Sequence, residues 1–137
     1  MSTNSFKTLA ELLREGDAAA PAIGAPDRKT MTRAELLRLV EKTGGALRNL
    51  GIQQNHAVAM VMPNGPEMAA GFVAVASWAT AAPLNAAYRA DEFDFYLGDL
   101  DAKALIIQGG PDSPARAVAA QRKIPVIELI ANGTESV

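Results

Sequence analysis

Few side chains in this sequence have the chemistry that catalysis or metal binding requires. Cysteine is absent, so thiolate nucleophiles, thiolate metal ligands and disulfides are excluded together. The single histidine, His56, precedes an apolar run, and a solvated turn residue explains that position better than a general base. One histidine without a dense carboxylate cluster gives no metal-binding pattern. We therefore predict no catalytic residue and no metal ligand.

The neighbouring carboxylates also fail as an acid–base pair. Asp99 and Asp101 are two positions apart at a predicted helix end, where side chains do not face one another. Asp91, Glu92 and Asp94 begin that helix, and negative charge there complements its positive end. These acids indicate a helix rather than catalysis.

Two glycine-containing turns are the remaining places for a ligand. Gly109-Gly110 leads into Pro111-Asp112 and not into Lys-Ser/Thr, so it does not match a phosphate-binding loop. In the turn at 63–67, Asn64 stands three positions before Glu67, the spacing of a helix cap and its reciprocal acid. Capping is therefore favoured over ligand binding at both residues.

Large apolar side chains follow this turn at helical spacing. Met68, Phe72 and Trp78 could line a pocket for an acyl chain, but core packing or an interdomain contact explains the spacing better. The predicted helix from Glu67 to Ala79 is apolar around its circumference. We expect it to be buried on more than one side.

Regular elements must position these residues. A capping box, Thr32 with Glu35, begins a long helix that Gly51 ends. The pair Gly44-Gly45 inside that helix lowers its stability, so we expect it to pack closely on a neighbouring backbone. From Ala57 onward, short apolar runs typical of buried strands alternate with helices.

The alternation predicts an α/β fold with a parallel Rossmann-like sheet that has helices on its faces. The predicted elements are a helix at Thr8–Arg14, extended pieces at Pro21–Gly24 and Lys29–Met31, strands at Ala57–Met62, Ala81–Leu84, Ala104–Ile107 and Pro125–Ile130, and helices at Thr32–Leu50, Glu67–Ala79, Ala90–Leu100 and Ser113–Gln121. The chain then divides into an N-terminal helix with extended pieces (8–31), βα units (32–130) and a polar tail (131–137).

Composition excludes several classes of protein. The chain is 49% hydrophobic and 20% charged, which is typical of a globular domain. A net charge of -2 without a basic stripe excludes nucleic acid as a partner. The N-terminus lacks a signal peptide, and the longest apolar stretch, Met68–Leu84, is broken by glycine and proline. We expect a cytoplasmic protein without a membrane span.

Five sequence blocks, taken in order, carry a family resemblance: Ala46–Ile52, Val58–Glu67, Phe72–Val75, Ala82–Arg89 and Phe95–Ile106. Their order and spacing resemble the AMP-forming synthetases, also called adenylate-forming enzymes. This family includes acyl-CoA synthetases, aryl-CoA ligases, luciferases and the adenylation domains of peptide synthetases. The resemblance extends from Thr8 to Ile130.

The resemblance implies an ATP-dependent carboxylate–CoA ligase, which forms an acyl-adenylate and then an acyl-CoA. It implies ATP, Mg²⁺ and coenzyme A for a full-length parent. In that family the phosphate loop, the adenine and ribose contacts, the hinge and the catalytic lysine lie further along the chain. We therefore expect an N-terminal scaffolding fragment that is catalytically incompetent and binds no cofactor itself. Its partners are then the remaining subdomains of the parent, where the carboxylate substrate binds.

One residue is singled out by the resemblance. Some aryl-CoA ligases carry an arginine near coenzyme A, two residues after the asparagine that corresponds to Asn85. Here that position is Ala87, and Arg89 stands two residues further on. The resemblance makes Arg89 a candidate coenzyme A contact.

A free-standing flavodoxin-like binding or interaction module is the alternative. It needs a ligand loop at the carboxyl ends of its strands, and neither Pro63–Pro66 nor Asn85–Tyr88 has a phosphate-binding pattern. As a fragment, the chain is instead expected to expose an apolar patch and a strand edge, and to self-associate.

Overall fold

The computed structural model describes residues 5, 7–110 and 112–130. Its N-terminal part holds helix α1 (Leu9–Arg14), strand β1 (Pro21–Ile23) and strand β2 (Met31–Thr32). Thr8 caps α1, because its Oγ1 accepts the N–H of Glu11 at 3.1 Å. Strands β1 and β2 pair in antiparallel fashion. The predicted helix and the first extended piece are thereby confirmed to within one residue, whereas the second begins at Met31 and not at Lys29. The predicted polar tail lies outside the described residues.

Helix α2 (Arg33–Asn49) begins at the predicted capping box. The Glu35 N–H donates to Thr32 Oγ1 at 3.2 Å, and the Thr32 N–H donates to Glu35 Oε2 at 2.9 Å. The hydrogen bond from the Thr32 backbone, with help from Lys29 and Arg38 nearby, holds the pKa of Glu35 below its ordinary value. Gly51 follows the helix at φ 73°, as a C-terminal glycine should.

The remaining elements alternate along the chain: β3 (Ala57–Val61), α3 (Pro66–Ala76), β4 (Thr80–Leu84), α4 (Ala90–Asp99), β5 (Ala104–Gln108), α5 (Pro114–Gln121) and β6 (Val126–Leu129). The four later strands form one sheet in the order β4-β3-β5-β6, and every pair in it is parallel. The predicted α/β fold with a parallel sheet is confirmed.

Helices cover both faces of this sheet. On one face, Phe93 and Leu97 of α4 and Val118 of α5 pack on the sheet. On the other, Val75 of α3 and Leu47 of α2 pack on it. Each face therefore has its own apolar core.

Helix α3 is buried on two sides within this chain. Its second side, Ala70 and Ala74, packs on Leu36 and Val40 of α2. The prediction of burial on more than one side is confirmed, but the cover comes from α2 and not from a later subdomain. Of its large side chains, Phe72 stays 42% exposed.

The packing expected at Gly44-Gly45 differs from the prediction. A Cβ on Gly44 would lie 2.5 Å from Cε2 of Trp78, whereas one on Gly45 would meet nothing within 4 Å. The close neighbour is thus an indole ring and not a backbone. The indole Nε1–H donates to the Val40 carbonyl at 2.7 Å, which fixes the ring against α2.

Candidate functional site

All four parallel strands present their carboxyl ends at one edge of the sheet, where open α/β sheets bind ligands. The chain runs from β3 to β4 on one side and then returns past β3 to β5. The topological switch point therefore lies between β3 and β5. The described segments at this edge are 62–65 after β3, 85–89 after β4, and 109–110 with 112–113 after β5.

The turn after β3 begins α3 differently from the prediction. Gly65 is the N-cap, Pro66 is at the first helical position, and no side chain caps the helix. Asn64 is exposed and does not cap, so that prediction is wrong. The reason is local: Pro66 fits the first helical position and has no N–H, which moves the cap to Gly65.

Glu67 is likewise not part of a capping box. Its side chain is 11% exposed and forms an ion pair with Arg28, which is 22% exposed and lies in the turn between β1 and β2. This pair joins the N-terminal hairpin to the start of α3. The two residues are 39 positions apart, so no local sequence signal points to their contact.

Side-chain contacts hold the turn after β4 in place. Asn85 Oδ1 accepts the N–H of Ala87 at 2.9 Å, and the Asn85 carbonyl accepts the N–H of Tyr88 at 3.1 Å. The Tyr88 ring stacks on Tyr96, with centroids 5.1 Å apart, and meets Phe93 edge-on at 5.8 Å. A hydrogen bond with Tyr96, together with burial, raises the pKa of Tyr88.

Arg89 follows this turn and caps α4. Its backbone N–H donates to Glu92 Oε2 at 2.8 Å, so the acid predicted to complement the helix start does so. The guanidinium is 78% exposed, and its Nη2 lies 3.6 Å from Asp91 Oδ2. Such an exposed pair is weak, so the side chain can reach an incoming anion at little cost.

Arg116 of α5 contacts the strand side of the turn after β5. Arg116 of α5 donates from Nη2 to the Gln108 carbonyl at 3.2 Å and pairs with Glu128 of β6 at 2.5 Å. Gly110 adopts φ 102°, a conformation that favours glycine. The arginine here holds a protein carbonyl and a carboxylate.

The other residues considered from sequence have structural roles. His56 Nδ1 accepts the N–H of Gln53 at 3.0 Å within one turn. Asp101 pairs with Lys103 at 2.9 Å. Trp78 is fixed by its bond to Val40, as core packing predicts, and not by a pocket for an acyl chain. Over residues 5, 7–110 and 112–130, no group of three or more acidic or histidine side chains could hold a metal ion.

In the same described ranges, no helix is long and apolar enough to cross a membrane. Among the described residues, the carboxyl edge of the sheet offers an exposed arginine, Arg89, beside the aromatic turn that holds Tyr88, and it offers neither a nucleophile with an activating base nor a phosphate cradle.

Comparisons with known proteins show which proteins this chain is similar to in sequence. An oxalate–CoA ligase of Arabidopsis thaliana is 36% identical over 126 residues, which are 90% of this chain and 24% of that protein. The long-chain-fatty-acid–CoA ligase FadD13 of Mycobacterium tuberculosis is 32% identical over 126 residues, which are 88% of this chain and 25% of that protein. The chain spans about a quarter of the length of these curated relatives.

Solved structures give the same answer for the fold. Apo MatB from Rhodopseudomonas palustris superimposes with a TM-score of 0.74 at 24% identity, covering 91% of this chain and 25% of that one. A Mycobacterium tuberculosis fatty acyl CoA synthetase gives 0.65 at 27% identity, covering 92% of this chain and 27% of that one. A family model described as AMP-binding enzyme matches residues 12–136. This chain therefore belongs to the family of AMP-binding enzymes.

Proposed function

We propose that this chain is the N-terminal subdomain of an ATP-dependent carboxylate–CoA ligase, in which it serves as a scaffold. The match over residues 12–136 to AMP-binding enzymes carries the proposal, and the curated relatives are named as CoA ligases. The parent forms an acyl-adenylate and pyrophosphate from a carboxylate and ATP. The thiol of coenzyme A then attacks the acyl carbon, and AMP leaves.

The scaffolding role follows from what the described residues can do. Phosphoryl chemistry needs charge stabilisation and positioning of the phosphates. The described residues offer no cluster for Mg²⁺, and the glycine pair at 109–110 is followed by no lysine. The proposal therefore has ATP, Mg²⁺ and the carboxylate held elsewhere in the parent, and we expect this chain alone to be catalytically incompetent.

Arg89 is the one coenzyme A contact that we propose here. Its exposed guanidinium stands at the ligand-binding edge of the sheet, and its weak pair with Asp91 leaves it available to a phosphate. In the full-length enzyme, we expect Arg89→Gln to raise KM for coenzyme A about tenfold, the effect of losing one charge-assisted hydrogen bond. ATP–pyrophosphate exchange should not change, because coenzyme A enters after adenylation. An equal loss in both half-reactions would contradict this role.

The proposed setting is the cytoplasm, and the proposed partners are the remaining subdomains of the parent. In their absence the chain is expected to self-associate. Exposed apolar side chains support this: Phe95 is 63% exposed and Ile130 is 69% exposed.

Carboxylate-dependent ATP–pyrophosphate exchange tests the proposal. The purified chain should give no exchange above background with short-chain, long-chain or aromatic carboxylates, whereas the full-length enzyme should give exchange with at least one. Exchange by the chain alone would overturn the scaffolding role, and an inactive full-length protein would overturn the ligase.

Calorimetry distinguishes the scaffold from the alternative, a free-standing flavodoxin-like module. The scaffold should show no saturable binding of ATP or AMP at millimolar concentration, because it has no anion-cradling loop. A one-site isotherm would instead favour the free-standing flavodoxin-like module.

A further inference from the structure

The turn between β3 and α3 contains an asparagine that is followed directly by a glycine, Asn64-Gly65. The three other described asparagines, Asn49, Asn55 and Asn85, each precede a residue with a side chain. An asparagine amide is chemically labile where the next backbone nitrogen can reach its Cγ. Because glycine has no Cβ, nothing on the residue itself crowds that approach.

The Asn64 side chain is exposed and unengaged. It forms no hydrogen bond within the described part of the chain, and it does not cap α3. Asn85 differs, since its Oδ1 accepts the N–H of Ala87 at 2.9 Å. The amide group of Asn64 can therefore turn toward its own backbone without breaking a contact.

The attacking atom in such a reaction is the Gly65 nitrogen, and it is unengaged as well. The Gly65 carbonyl accepts the N–H of Ala69 at 3.1 Å, but the Gly65 N–H donates to no acceptor among the described residues. Gly65 is exposed and extended, at φ 160° and ψ -173°, as a residue before a proline should be. Ring closure at this nitrogen therefore breaks no hydrogen bond of the fold.

We propose that Asn64 is a site of spontaneous deamidation in the folded chain. The Gly65 nitrogen loses its proton to solvent and attacks Cγ of Asn64. The bond from Cγ to the side-chain nitrogen breaks, and that nitrogen leaves as ammonia with a proton from solvent. Water then opens the resulting succinimide. Cleavage of the bond from Cγ to the Gly65 nitrogen gives aspartate, and cleavage at the backbone carbonyl gives isoaspartate.

The two products affect α3 differently. Aspartate places a negative charge beside the positive end of the helix, which the helix dipole favours. Isoaspartate routes the main chain through the side-chain carbon and so adds a methylene group between β3 and the helix. Pro66 and Glu67, which is paired with Arg28, follow directly. The longer link therefore displaces the start of α3 from these contacts.

Incubation of the purified chain at neutral to mildly alkaline pH tests the site. Peptide mapping by mass spectrometry should find aspartate and isoaspartate at position 64, at a rate that rises in proportion to hydroxide. The three other described asparagines should stay amidated over the same period. Mapping also separates Asn64 from Asn132-Gly133, a second such pair that lies outside the described residues. An intact Asn64, or aspartate without isoaspartate, would overturn the proposal.

The same incubation in denaturant shows whether the fold leaves the site open. In the folded chain, Asn64 should react within about tenfold of its rate in the unfolded chain, because an exposed turn needs no global opening. If unfolding had to come first, the folded chain would react at least about 1,000-fold more slowly. A difference of that size would contradict a site in the folded state.

Gly65→Ala tests the glycine without disturbing the fold. A Cβ at this position would lie 3.6 Å from Glu67 Oε2, which is an ordinary contact. The methyl group crowds ring closure and should slow deamidation of Asn64 at least about tenfold. Equal rates in the variant and the wild-type chain would exclude attack by this nitrogen.

Ala86→Gly is the matched control, because it places a glycine after Asn85. The hydrogen bond from the Ala87 N–H holds the Asn85 side chain, so this asparagine should still react at least about tenfold more slowly than Asn64. If the two react equally fast, the unengaged side chain of Asn64 is not what selects the site, and the structural argument fails.

Unfolding midpoints in urea test the effect on α3. Asn64→Asp should keep the midpoint of the fresh wild-type chain, whereas a chain aged until isoaspartate has formed should have a lower one. Aged Gly65→Ala is the reference for other damage and should keep its midpoint. An aged wild-type chain with an unchanged midpoint would show that isoaspartate does not displace the helix.

Discussion

Gly44 and Trp78 show how one hydrogen atom in place of a methyl group lets an indole ring pack closely on α2. The indole fills the space that a Cβ on Gly44 would need, and its N–H bonds to the Val40 carbonyl. The neighbouring Gly45 faces open space. Of two adjacent glycines, only the first is required by packing, and this difference can be measured.

We expect Gly44→Ala to destabilise the chain and Gly45→Ala to stabilise it. Overpacking against Trp78 costs about 1–3 kcal/mol. Higher helix propensity returns about 1 kcal/mol in both variants. The first variant should therefore lose up to about 2 kcal/mol in the free energy of unfolding, and the second should gain about 0.5–1 kcal/mol. Urea unfolding decides this, and equal stabilisation by both would show that the ring moves aside freely.

The capping box of α2 gives a pH dependence at the same scale. The pKa of Glu35 is lowered in the folded state by the Thr32 N–H, so folding favours the carboxylate. The contribution of Glu35 to the free energy of unfolding is complete at pH values above the ordinary carboxyl pKa. It is lost as the pH falls through the lowered pKa that Glu35 has in the folded state. Glu35→Gln keeps the hydrogen-bond acceptor but cannot titrate.

The free energy of unfolding, measured from neutral to strongly acidic pH, tests the direction of this effect. The wild-type chain should lose more stability on acidification than Glu35→Gln, and the two should converge at low pH. Parallel curves would mean that Glu35 has the same pKa in the folded and unfolded chain.

At the scale of elements, α1 depends on α2. A six-residue helix is too short to be stable alone. Arg33, at the start of α2, donates from Nη2 to the carbonyls of Glu15 at 2.6 Å, Leu12 at 3.3 Å and Leu13 at 3.4 Å. These carbonyls lie at the end of the helix, where backbone acceptors lack the next turn of donors, although that of Leu12 also accepts the N–H of Glu15 at 3.2 Å. The Arg33 side chain of α2 thus caps the C-terminal end of α1.

Arg33→Met should therefore release α1 without unfolding the sheet. The variant keeps an apolar stem but has no donors, so amides of α1 should exchange about tenfold faster. Amides of β3 and β5 should be unchanged. Arg38→Met, on the same helix and away from α1, is the control. If α1 amides respond equally to both variants, the Arg33 bonds do not hold it.

At the scale of the whole molecule, the chain has a folded core with open borders. Three apolar clusters form within it, and α3 lies between the sheet and α2. Within the described residues, its open borders are the two edge strands of the sheet, β4 and β6. We propose that self-association involves the β6 edge, because α3 is covered by the sheet on one side and by α2 on the other.

We expect the isolated chain to form dimers at micromolar concentration and Val126→Lys to reduce them. Val126 is 38% exposed on the outward edge, where lysine opposes strand pairing. Leu50→Lys is the control, because it changes a residue of similar exposure, 43%, that follows α2 and is not part of a strand. Light scattering measures both. A clean monomer at high micromolar concentration, with no dye-binding apolar surface, would show that the wild-type chain is self-sufficient.

The sequence by itself determined the elements and the class of fold. Local signals were sufficient there. The start of α2 is marked by Thr32 with Glu35 and its end by Gly51, and apolar runs between helices specify a parallel sheet. Strand ends and helix starts were predicted to within a few residues. The blocks from Ala46 to Ile106 also carried the family, which the match over residues 12–136 confirmed.

The tertiary structure alone decided which residues meet across the chain. Local spacing predicted a cap at Asn64 and a capping partner in Glu67, but Glu67 pairs with Arg28 from a distant hairpin. The packing of α2 on α3 and of the indole on Gly44 could likewise not be predicted from sequence. Periodicity shows that a helix face is buried, but it does not show which residues cover that face. Contacts between distant segments depend on how the layers pack, and a local pattern contains no information on that packing.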